Sequence, residues 1–410
     1  RVLRPFVREG YTAWVLGLKP NLPEGCTIAD MAEDYARLIV EELNGKVEVV
    51  IGDSTGGTIG FYLAARHPDV FGHIVIAVAA YTMTEEAGAA NLEGSLVLVR
   101  GTQPFTPGGQ MPDYGRPLRF GVFPTPEAGA LDEVLALARV ADQENLEYVG
   151  IQDHPYQRRF LDTWMLMATV LAKTERVSVF PDVANLPLRP PAVMAKAAAS
   201  LDVLSEGRFE LGLGAGAFWE AVDAMGGPRR SPGEAVDALV EAVEVIRLMW
   251  SDQRSVRFDG RYYRLAGVKP GPPPVHPIGI WLGVGGRRTL ALVGRTADGW
   301  VPSSGWATPD KLPAMHARID EAAVAAGRDP AVIARVYNVW GRIDGTGGFL
   351  QGGVAQWVDE LTELAVEHGM DTFVFGPAED PVPQLRRFAA EVAPAVREAV
   401  TRHRGSQPPG

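Results

Sequence analysis

The feature that most constrains this chain is an eightfold alternation of strand-like and helix-like segments after Leu118. Each strand candidate is a short apolar run, and each is followed by a helical or loop-plus-helical stretch. Such alternation predicts parallel strands joined by right-handed crossovers. We therefore predict an α/β fold in which residues 117–402 form a (β/α)8 TIM barrel. A doubly wound sheet is the alternative, which the strand count disfavours. The strand candidates are Arg119–Phe123, Glu147–Ile151, Val177–Pro181, Phe209–Gly214, Ile278–Val284, Gly299–Ser303, Arg335–Ile343 and Asp371–Gly376.

Charge and cysteine content exclude several classes of protein. The 410 residues carry a formal net charge of -11, which disfavours binding to nucleic acid or to an anionic membrane surface. No apolar run is long enough to span a bilayer, and no signal peptide is visible, although the chain begins at Arg1 and not at Met. The single cysteine, Cys26, excludes an internal disulfide and a thiolate zinc cluster. We expect a cytoplasmic protein without a metal site.

Residues 1–101 form a separate module, followed by a Gly- and Pro-rich linker at residues 102–116. A buried strand, the motif Gly52-Asp53-Ser54-Thr55-Gly56 and a helix follow one another there. That order resembles the nucleophile elbow of α/β-hydrolases, with Ser54 as the nucleophile. The acid and histidine partners are hard to find, since Gln103-Pro104 stands where the acid is expected. We therefore favour an incomplete hydrolase-like module over a working serine hydrolase. A natural fusion and a gene-boundary error both remain open.

Polar, glycine and aromatic residues cluster where the predicted barrel strands end. A TIM barrel carries its active site at the carboxyl ends of its strands, so these segments are predicted to converge on one rim. They are Gln152–Tyr156, Asp182–Asn185, Gly214–Glu220, Gly283–Arg288 and Pro302–Trp306. We expect residues 251–277, the longest irregular stretch, to be an insertion that could cover the mouth as a lid. The last residues, 403–410, are predicted to form a tail.

His154 is the histidine, among seven, that is predicted at a strand's carboxyl end. An imidazole there can move a proton near neutral pH, although a structural hydrogen-bonded histidine is the alternative. Asp153 either orients His154 or caps the next segment. Asn185 either bonds a ligand or holds its loop.

The helix that opens after Gly285, Gly286 and Arg287 is a candidate phosphate cradle, because free N–H groups and a guanidinium meet there. A plain turn is the alternative interpretation. Trp219 and Trp306 are candidates for the walls of an apolar pocket, although tryptophans more often simply pack.

Several ordered motifs in residues 117–402 resemble the luciferase-like monooxygenases. They are Asp153-His154, NLPLRPPAVMAKAAASLDVLSEGRFELGLGAG, GVGGRRTLALVGRTADGW and AGRDP. The resemblance implies a barrel that binds coenzyme F420 or, alternatively, FMN. It implies a reacting His154, a non-proline cis peptide at Asp182–Val183 behind the ring, and phosphate contacts from Gly285 and Gly286. The segment from Val183 to Asn185 is then expected to back the cofactor ring, with Gly214 and Gly216 close to the ligand and Trp219 and Glu220 shaping the pocket.

Two departures from the family bear on the substrate. In the sugar-phosphate dehydrogenases of this family a lysine follows the sixth strand, but Trp306 stands here. The fourth strand ends in GAGAFWE without their Gly-Glu. We expect a neutral organic small molecule and not a sugar phosphate.

Three functional hypotheses follow. The first is F420-dependent hydride transfer to or from a small organic substrate. The second is an FMN-dependent monooxygenase that receives reduced flavin from a partner reductase, and the third is ester hydrolysis through Ser54. A flavin or F420 reductase is therefore a candidate partner. The sequence does not give the oligomeric state, but barrels of the family commonly pair, which favours a homodimer.

Overall fold

The computed structural model describes residues 12–16, 28–42, 47–54, 59, 63, 66–67, 71–78, 94–100 and 113–406. The chain divides into two compact units, Arg1–Gly109 and Gln110–Gly410. The division lies within the segment predicted as a linker. Within the described part of the chain, no helix has the length and hydropathy needed to cross a membrane. The same residues hold no group of three or more His, Cys, Asp or Glu side chains arranged to bind a metal ion.

The first unit contains helix α1 (Ile28–Glu42) and a four-stranded mixed sheet. Its strands β1 (Thr12–Leu16), β2 (Val47–Ser54), β3 (Phe71–Val78) and β4 (Gly94–Arg100) lie in the order β1-β4-β2-β3. Strands β2 and β3 are parallel, whereas β4 is antiparallel to β2, with Gly94 opposite Ser54. The carboxyl end of β4, at Arg100, therefore lies at the opposite end of the sheet from Ser54. That direction removes β4 as the source of an acid for Ser54. The rest of the predicted elbow, residues 55–57, lies outside the described residues.

The second unit is built on eight parallel strands that close into a barrel. Consecutive strands pair in parallel in the order β7-β6-β5-β15-β14-β13-β12-β9, and a parallel bridge between Val179 and Phe209 joins β7 to β9. The eightfold alternation is thus confirmed, with strand ends moved by a few residues. The barrel strands are β5 (Arg119–Val122), β6 (Tyr148–Ile151), β7 (Ser178–Pro181), β9 (Leu211–Gly214), β12 (Ile280–Leu282), β13 (Gly299–Trp300), β14 (Ala334–Gly341) and β15 (Thr372–Pro377). A two-residue strand, β8 (Ala184–Asn185), extends the sheet beside β9.

Helices return the chain between the strands and begin at recognisable caps. Asp162 accepts hydrogen bonds from the first free N–H groups of α3, and Ser231 and Glu234 form a reciprocal capping box on α6. Pro190-Pro191 begins α4, as the sequence predicts. The helices are α2 (Leu131–Gln143), α3 (Thr163–Ala172), α4 (Pro191–Leu204), α5 (Trp219–Ala224), α6 (Pro232–Met249), α7 (Arg287–Thr296), α8 (Leu312–Ala325), α9 (Val354–Val366), α10 (Pro381–Arg387) and α11 (Ala393–Ser406).

The barrel interior is plugged by aromatic side chains. Tyr148, Phe180 and Trp281 are buried and meet edge to face, with ring centroids 5.1 to 6.0 Å apart. This packing fills the centre of the barrel, so a ligand site is confined to the mouth above it. Because side chains alternate along a strand, the residue two positions after each of these aromatic residues points inward again, one layer nearer the mouth.

The insertion at residues 251–277 forms a hairpin, β10 (Val256–Asp259) and β11 (Arg264–Val268), that lies along the outside of α6. Glu241 of α6 accepts hydrogen bonds from the backbone N–H groups of residues 261–263 in its turn. Arg230, just before α6, stacks its guanidinium over Tyr262 and Tyr263, 5.4 and 5.5 Å from the ring centroids. The residues that line the mouth do not include this insertion. Our interpretation of it as a lid was wrong, because Glu241 and Arg230 fix the hairpin against the side of the barrel.

The ends of the barrel unit are tied to each other. Arg404 forms a two-point ion pair with Asp113, at 2.7 and 2.8 Å. The Tyr114 hydroxyl donates to Asp320, and the guanidinium of the fully buried Arg335 lies 4.8 Å from the Tyr114 ring centroid. Residues 113–116 of the predicted linker and residues 403–406 of the predicted tail are therefore held against the barrel, and α11 runs to Ser406.

Candidate active site

The mouth of the barrel opens into a cleft of about 380 Å³ beside the ends of β6, β8, β9 and β12. Most of its walls are apolar or glycine. The lining residues are Asp153, His154, Tyr156, Val183, Ala184, Asn185, Gly214, Ala215, Gly216, Ala217, Trp219, Pro232, Ala235, Val236, Gly283, Val284, Gly285, Gly286 and Thr289. Four of the five segments predicted from the strand ends thus meet at one cleft. The fifth, Pro302–Trp306, contributes no lining residue, and the start of α6 at Pro232, Ala235 and Val236 supplies an unpredicted wall.

The floor of the cleft is Val183, which packs against glycines of two neighbouring strands. A Cβ atom placed on Gly283 would lie 2.8 Å from Val183 Cγ1, and one on Gly214 would lie 2.9 Å from Cγ2. Both distances are too short for real carbon atoms, so side chains at either position would push Val183 into the cleft. The Asp182–Val183 peptide bond is cis, as the resemblance implied. The glycines therefore make room for a flat floor on which a ring can rest.

His154 lies on the rim after β6, half-buried among aromatic rings. Its Nδ1 is 2.7 Å from the Tyr156 hydroxyl, and its ring meets Phe218 edge to face at 5.7 Å. Burial lowers the pKa of the imidazole, an effect that the charge of Asp153 opposes. Burial, with the same carboxylate, raises the pKa of Tyr156 to about 12. The lowered pKa favours a neutral imidazole near neutral pH, and the contact fits either tautomer, since the Tyr156 hydroxyl can donate to Nδ1 or accept from Nδ1–H.

Asp153 does not orient His154 through a hydrogen bond. Its Oδ2 accepts from the backbone N–H of Asn185 at 2.9 Å and lies 4.0 Å from Arg189 Nε. The carboxyl group is 2% exposed, and this burial raises its pKa. Asp153 therefore fixes the Asn185 loop on the floor side of the cleft. The second alternative, that Asp153 caps the segment directly after it, is not supported either, because its hydrogen bond goes to Asn185.

Asn185 is buried and lines the cleft, and its Oδ1 has no hydrogen-bond partner among the described residues. Since a buried acceptor without a donor is costly, this atom is suited to receive a hydrogen bond from a bound ligand.

Asp182 faces the barrel interior and is not among the residues that line the cleft. Its Oδ1 accepts from Asn338 Nδ2 at 2.9 Å, and burial raises its pKa to about 7. The expectation that it belongs to the cofactor contacts is therefore not supported for its side chain. The adjacent residue Val183 lines the cleft, whereas the Asp182 side chain bonds Asn338 in the barrel interior.

The rim after β12 begins helix α7 at Gly286, whose carbonyl accepts from Leu290 N and from the Thr289 hydroxyl. Gly285 and Gly286 line the cleft, while Arg287 is exposed and is not part of the lining. A Cβ atom on Gly285 would lie 2.5 Å from the Trp306 ring, so Trp306 lies directly against this glycine. Trp306 is 43% exposed and gives this side of the rim an aromatic edge.

Of the two residues after β9 that were predicted to shape the substrate pocket, Trp219 lines the cleft and Glu220 does not. The Trp219 ring lies against Gly216, since a Cβ there would be 2.9 Å from it. Glu220 points to solvent and pairs with Arg229 at 3.0 Å.

Sequence reasoning placed Phe218 and Tyr156 in predicted rim segments but gave neither a role, and it missed Asn338. Phe218 stands 63% exposed at the rim, with a left-handed backbone and its ring against both His154 and Tyr156. The position of Tyr156, two residues after His154, was a usable signal. Asn338 carried a weaker signal, as one of two strongly polar residues, with Arg335, in a strand that is otherwise mainly apolar.

Comparison with known proteins agrees with the geometry. The luciferase-like monooxygenase family model matches residues 114–342. The F420-dependent hydroxymycolic acid dehydrogenase of Mycobacterium tuberculosis is 32% identical over 240 residues, which cover 53% of this chain and 64% of that protein. The F420-dependent glucose-6-phosphate dehydrogenase of Kineococcus radiotolerans is 32% identical over 234 residues, covering 55% and 68%. The chain thus spans about two thirds of the length of these relatives.

A solved structure shares the fold. An F420-dependent secondary alcohol dehydrogenase, in complex with an F420–acetone adduct, superposes with a TM-score of 0.62 at 21% identity, over 68% of this chain and 99% of that one. At this identity the likeness establishes the fold alone. The barrel, its rim and the family match lead to one conclusion: this chain belongs to the luciferase-like monooxygenase family.

Proposed function

We propose that this protein is an F420-dependent oxidoreductase that transfers hydride to or from a small organic substrate. The observation that carries the proposal is the combination of a glycine-lined floor at Val183 with the half-buried His154 on the adjoining rim, whose pKa burial lowers. A flat floor suits a planar ring, and a neutral imidazole beside it suits proton transfer near neutral pH. Two relatives that are 32% identical to the chain are both named as F420-dependent dehydrogenases, which favours F420 over FMN.

The residues present fit such a cofactor. Gly214 and Gly283 leave space above the barrel that a Cβ would fill, and Asn185 Oδ1 supplies an acceptor without a donor among the described residues. Gly285 and Gly286 present backbone N–H groups at the start of α7, where an anionic group is stabilised. When bound, F420 supplies hydride chemistry at its ring. Val183 would lie under that ring and Gly285-Gly286 near its phosphate.

His154 is the group that handles the proton. With Nδ1–H donating to the Tyr156 hydroxyl, a neutral His154 leaves Nε2 free to accept the proton of an alcohol. In the reverse direction the imidazolium donates its Nε2 proton to the carbonyl oxygen of the substrate and returns to the neutral form. Phe218 and Tyr156 pack against the imidazole, and its burial lowers the pKa of the histidine, which favours the neutral form. His154 is therefore the proposed general acid and base.

The substrate is proposed to be neutral and largely apolar. Trp219 and the exposed rings of Phe218 and Trp306 surround the mouth, and Glu220 is turned away to Arg229. Trp306 occupies the position at which a lysine holds the phosphate in the sugar-phosphate dehydrogenases that the sequence resembles. The chain therefore has an aromatic surface where those enzymes have a cation. A small alcohol or ketone fits this surface better than a sugar phosphate.

Cofactor binding tests the proposal directly. Purified protein is titrated separately with F420 and with FMN, and visible absorbance is followed. We expect F420 to bind. Binding of FMN alone would favour the oxygen-inserting alternative with a partner reductase, and binding of neither would refute both.

Substitution of His154 tests the proton step. His154→Ala should abolish turnover while F420 affinity is retained. Tyr156→Phe is the companion variant, which removes the partner of Nδ1 and leaves the imidazole in place, so it should keep turnover at a reduced rate. Full activity of the His154→Ala protein would remove this residue from the mechanism.

A further inference from the structure

Beneath the floor of the cleft lies a buried polar pair that the proposed chemistry does not use. Asp182 and Asn338 face each other across the barrel, joined by the 2.9 Å bond from Asn338 Nδ2 to Asp182 Oδ1. The same Nδ2 also donates to the Ser303 hydroxyl at 3.2 Å. Both amide protons of Asn338 are therefore committed.

Two oxygens of this pair have no donor. Asp182 Oδ2 and Asn338 Oδ1 are both buried and without a hydrogen-bond partner among the described residues. Oδ2 lies against the backbone of Gly150, where a Cβ would be only 2.8 Å away. Two acceptors on one bonded pair, each without a donor, would be costly if the carboxyl were ionised.

No charged side chain compensates this carboxyl. Its contacts are with Gly150 of β6 and Asn338 of β14, and Ser303, which bonds the same Asn338 amide, is uncharged as well. Burial raises the pKa of Asp182 to about 7, and the hydrogen bond from Asn338 partly opposes this rise. No ionised neighbour contributes to the shift. A proton on Oδ2 would provide the missing donor, since a carboxylic acid can form two hydrogen bonds with one amide.

We propose that Asp182 is a positioning residue that works as a neutral carboxylic acid, with Oδ2–H donating to Asn338 Oδ1 so that the pair fixes the floor segment under the cofactor. Val183 follows directly and is the floor itself, packed against Gly214 and Gly283. Loss of the proton leaves a buried carboxylate that only water or movement of the segment can relieve. The effect on cofactor binding rests on the proposed function, whereas the protonation of Asp182 does not.

The first test is cofactor affinity as a function of pH, measured by F420 fluorescence titration of the whole protein. Wild-type affinity should fall above neutral pH, by at most about tenfold per pH unit for one coupled proton. Asp182→Asn should bind F420 as the wild type does at low pH and should lack this decline, because an amide reproduces the neutral acid. Asp182→Ala should bind more weakly at every pH. The exposed Asp359→Asn is the matched control and should keep the wild-type profile.

The second test needs no cofactor. Infrared difference spectra between wild type and Asp182→Asn should contain the carbonyl stretch of a protonated carboxyl below neutral pH. A carboxylate band in its place would overturn the proposal, as would loss of F420 binding in a folded Asp182→Asn protein. If the wild type binds no F420 at any pH, the proposed function fails while the infrared result still decides the state of Asp182.

Discussion

The floor of the cleft can be tested by a substitution that adds a single methyl group. In Gly283→Ala the new Cβ would lie 2.8 and 2.9 Å from Val183 Cγ1 and Cγ2, where ordinary contacts need several tenths of an ångström more. Val183 can relieve this contact by moving up into the cleft, and a bound ring would force it back. Overpacking of this kind costs about 1–3 kcal/mol. If binding carries that cost, F420 affinity falls roughly 5- to 150-fold.

Fluorescence titration with F420 measures the loss, and thermal unfolding shows whether the variant is folded. The double variant Gly283→Ala/Val183→Ala lacks both γ carbons and should recover most of the affinity. Gly233→Ala is the control, since a Cβ on that glycine, in the first turn of α6 beside the cleft, meets nothing within 4 Å. Wild-type affinity in Gly283→Ala, or no recovery in the double variant, would refute the idea that Val183 forms the floor.

Four further outcomes are expected. Tyr156→Phe removes a hydrogen bond worth about 0.5–1.5 kcal/mol, so kcat should fall roughly 2- to 10-fold with an altered pH profile and unchanged F420 affinity. Asn185→Ala removes from the cleft a buried acceptor that has no partner among the described residues, so F420 titration should show binding weakened by about 1–3 kcal/mol. Unchanged affinity would mean that Asn185 Oδ1 does not bind the ligand. For Asp182 the folded pKa, about 7, exceeds the unfolded value near 3.9, so wild-type stability is lost as pH rises between these two values. Urea unfolding should show the stability of Asp182→Asn rising relative to wild type by up to about 4 kcal/mol across that window and then staying constant at higher pH. Ser54→Ala should leave hydrolysis of a chromogenic ester at its background rate, because the end of β4 lies across the sheet from Ser54, and a clear drop in hydrolysis would restore the serine hydrolase hypothesis.

The sequence predicted the barrel well because each strand and helix carries its own local signal. The eight apolar runs became eight parallel strands, and the strand ends met at the rim with His154, Asn185 and the glycines on it. The insertion at residues 251–277 was misplaced, because its position depends on Glu241 and Arg230, which no local pattern connects to it. The role of Asp153 was misjudged for the same reason, since its partner is the backbone of Asn185, 32 residues later.

The sequence by itself determined where strands end, and therefore which short segments share the mouth of the barrel. It could not decide which way each side chain of those segments faces. Closure of the sheet turned Val183 to the cleft and Asp182 inward, and it brought Asn338 to Asp182 from 156 residues away. Strand periodicity can be recognised from residues that are neighbours in the sequence. The partner of a buried polar atom is instead set by closure of the sheet, which brings together residues that are remote in the chain.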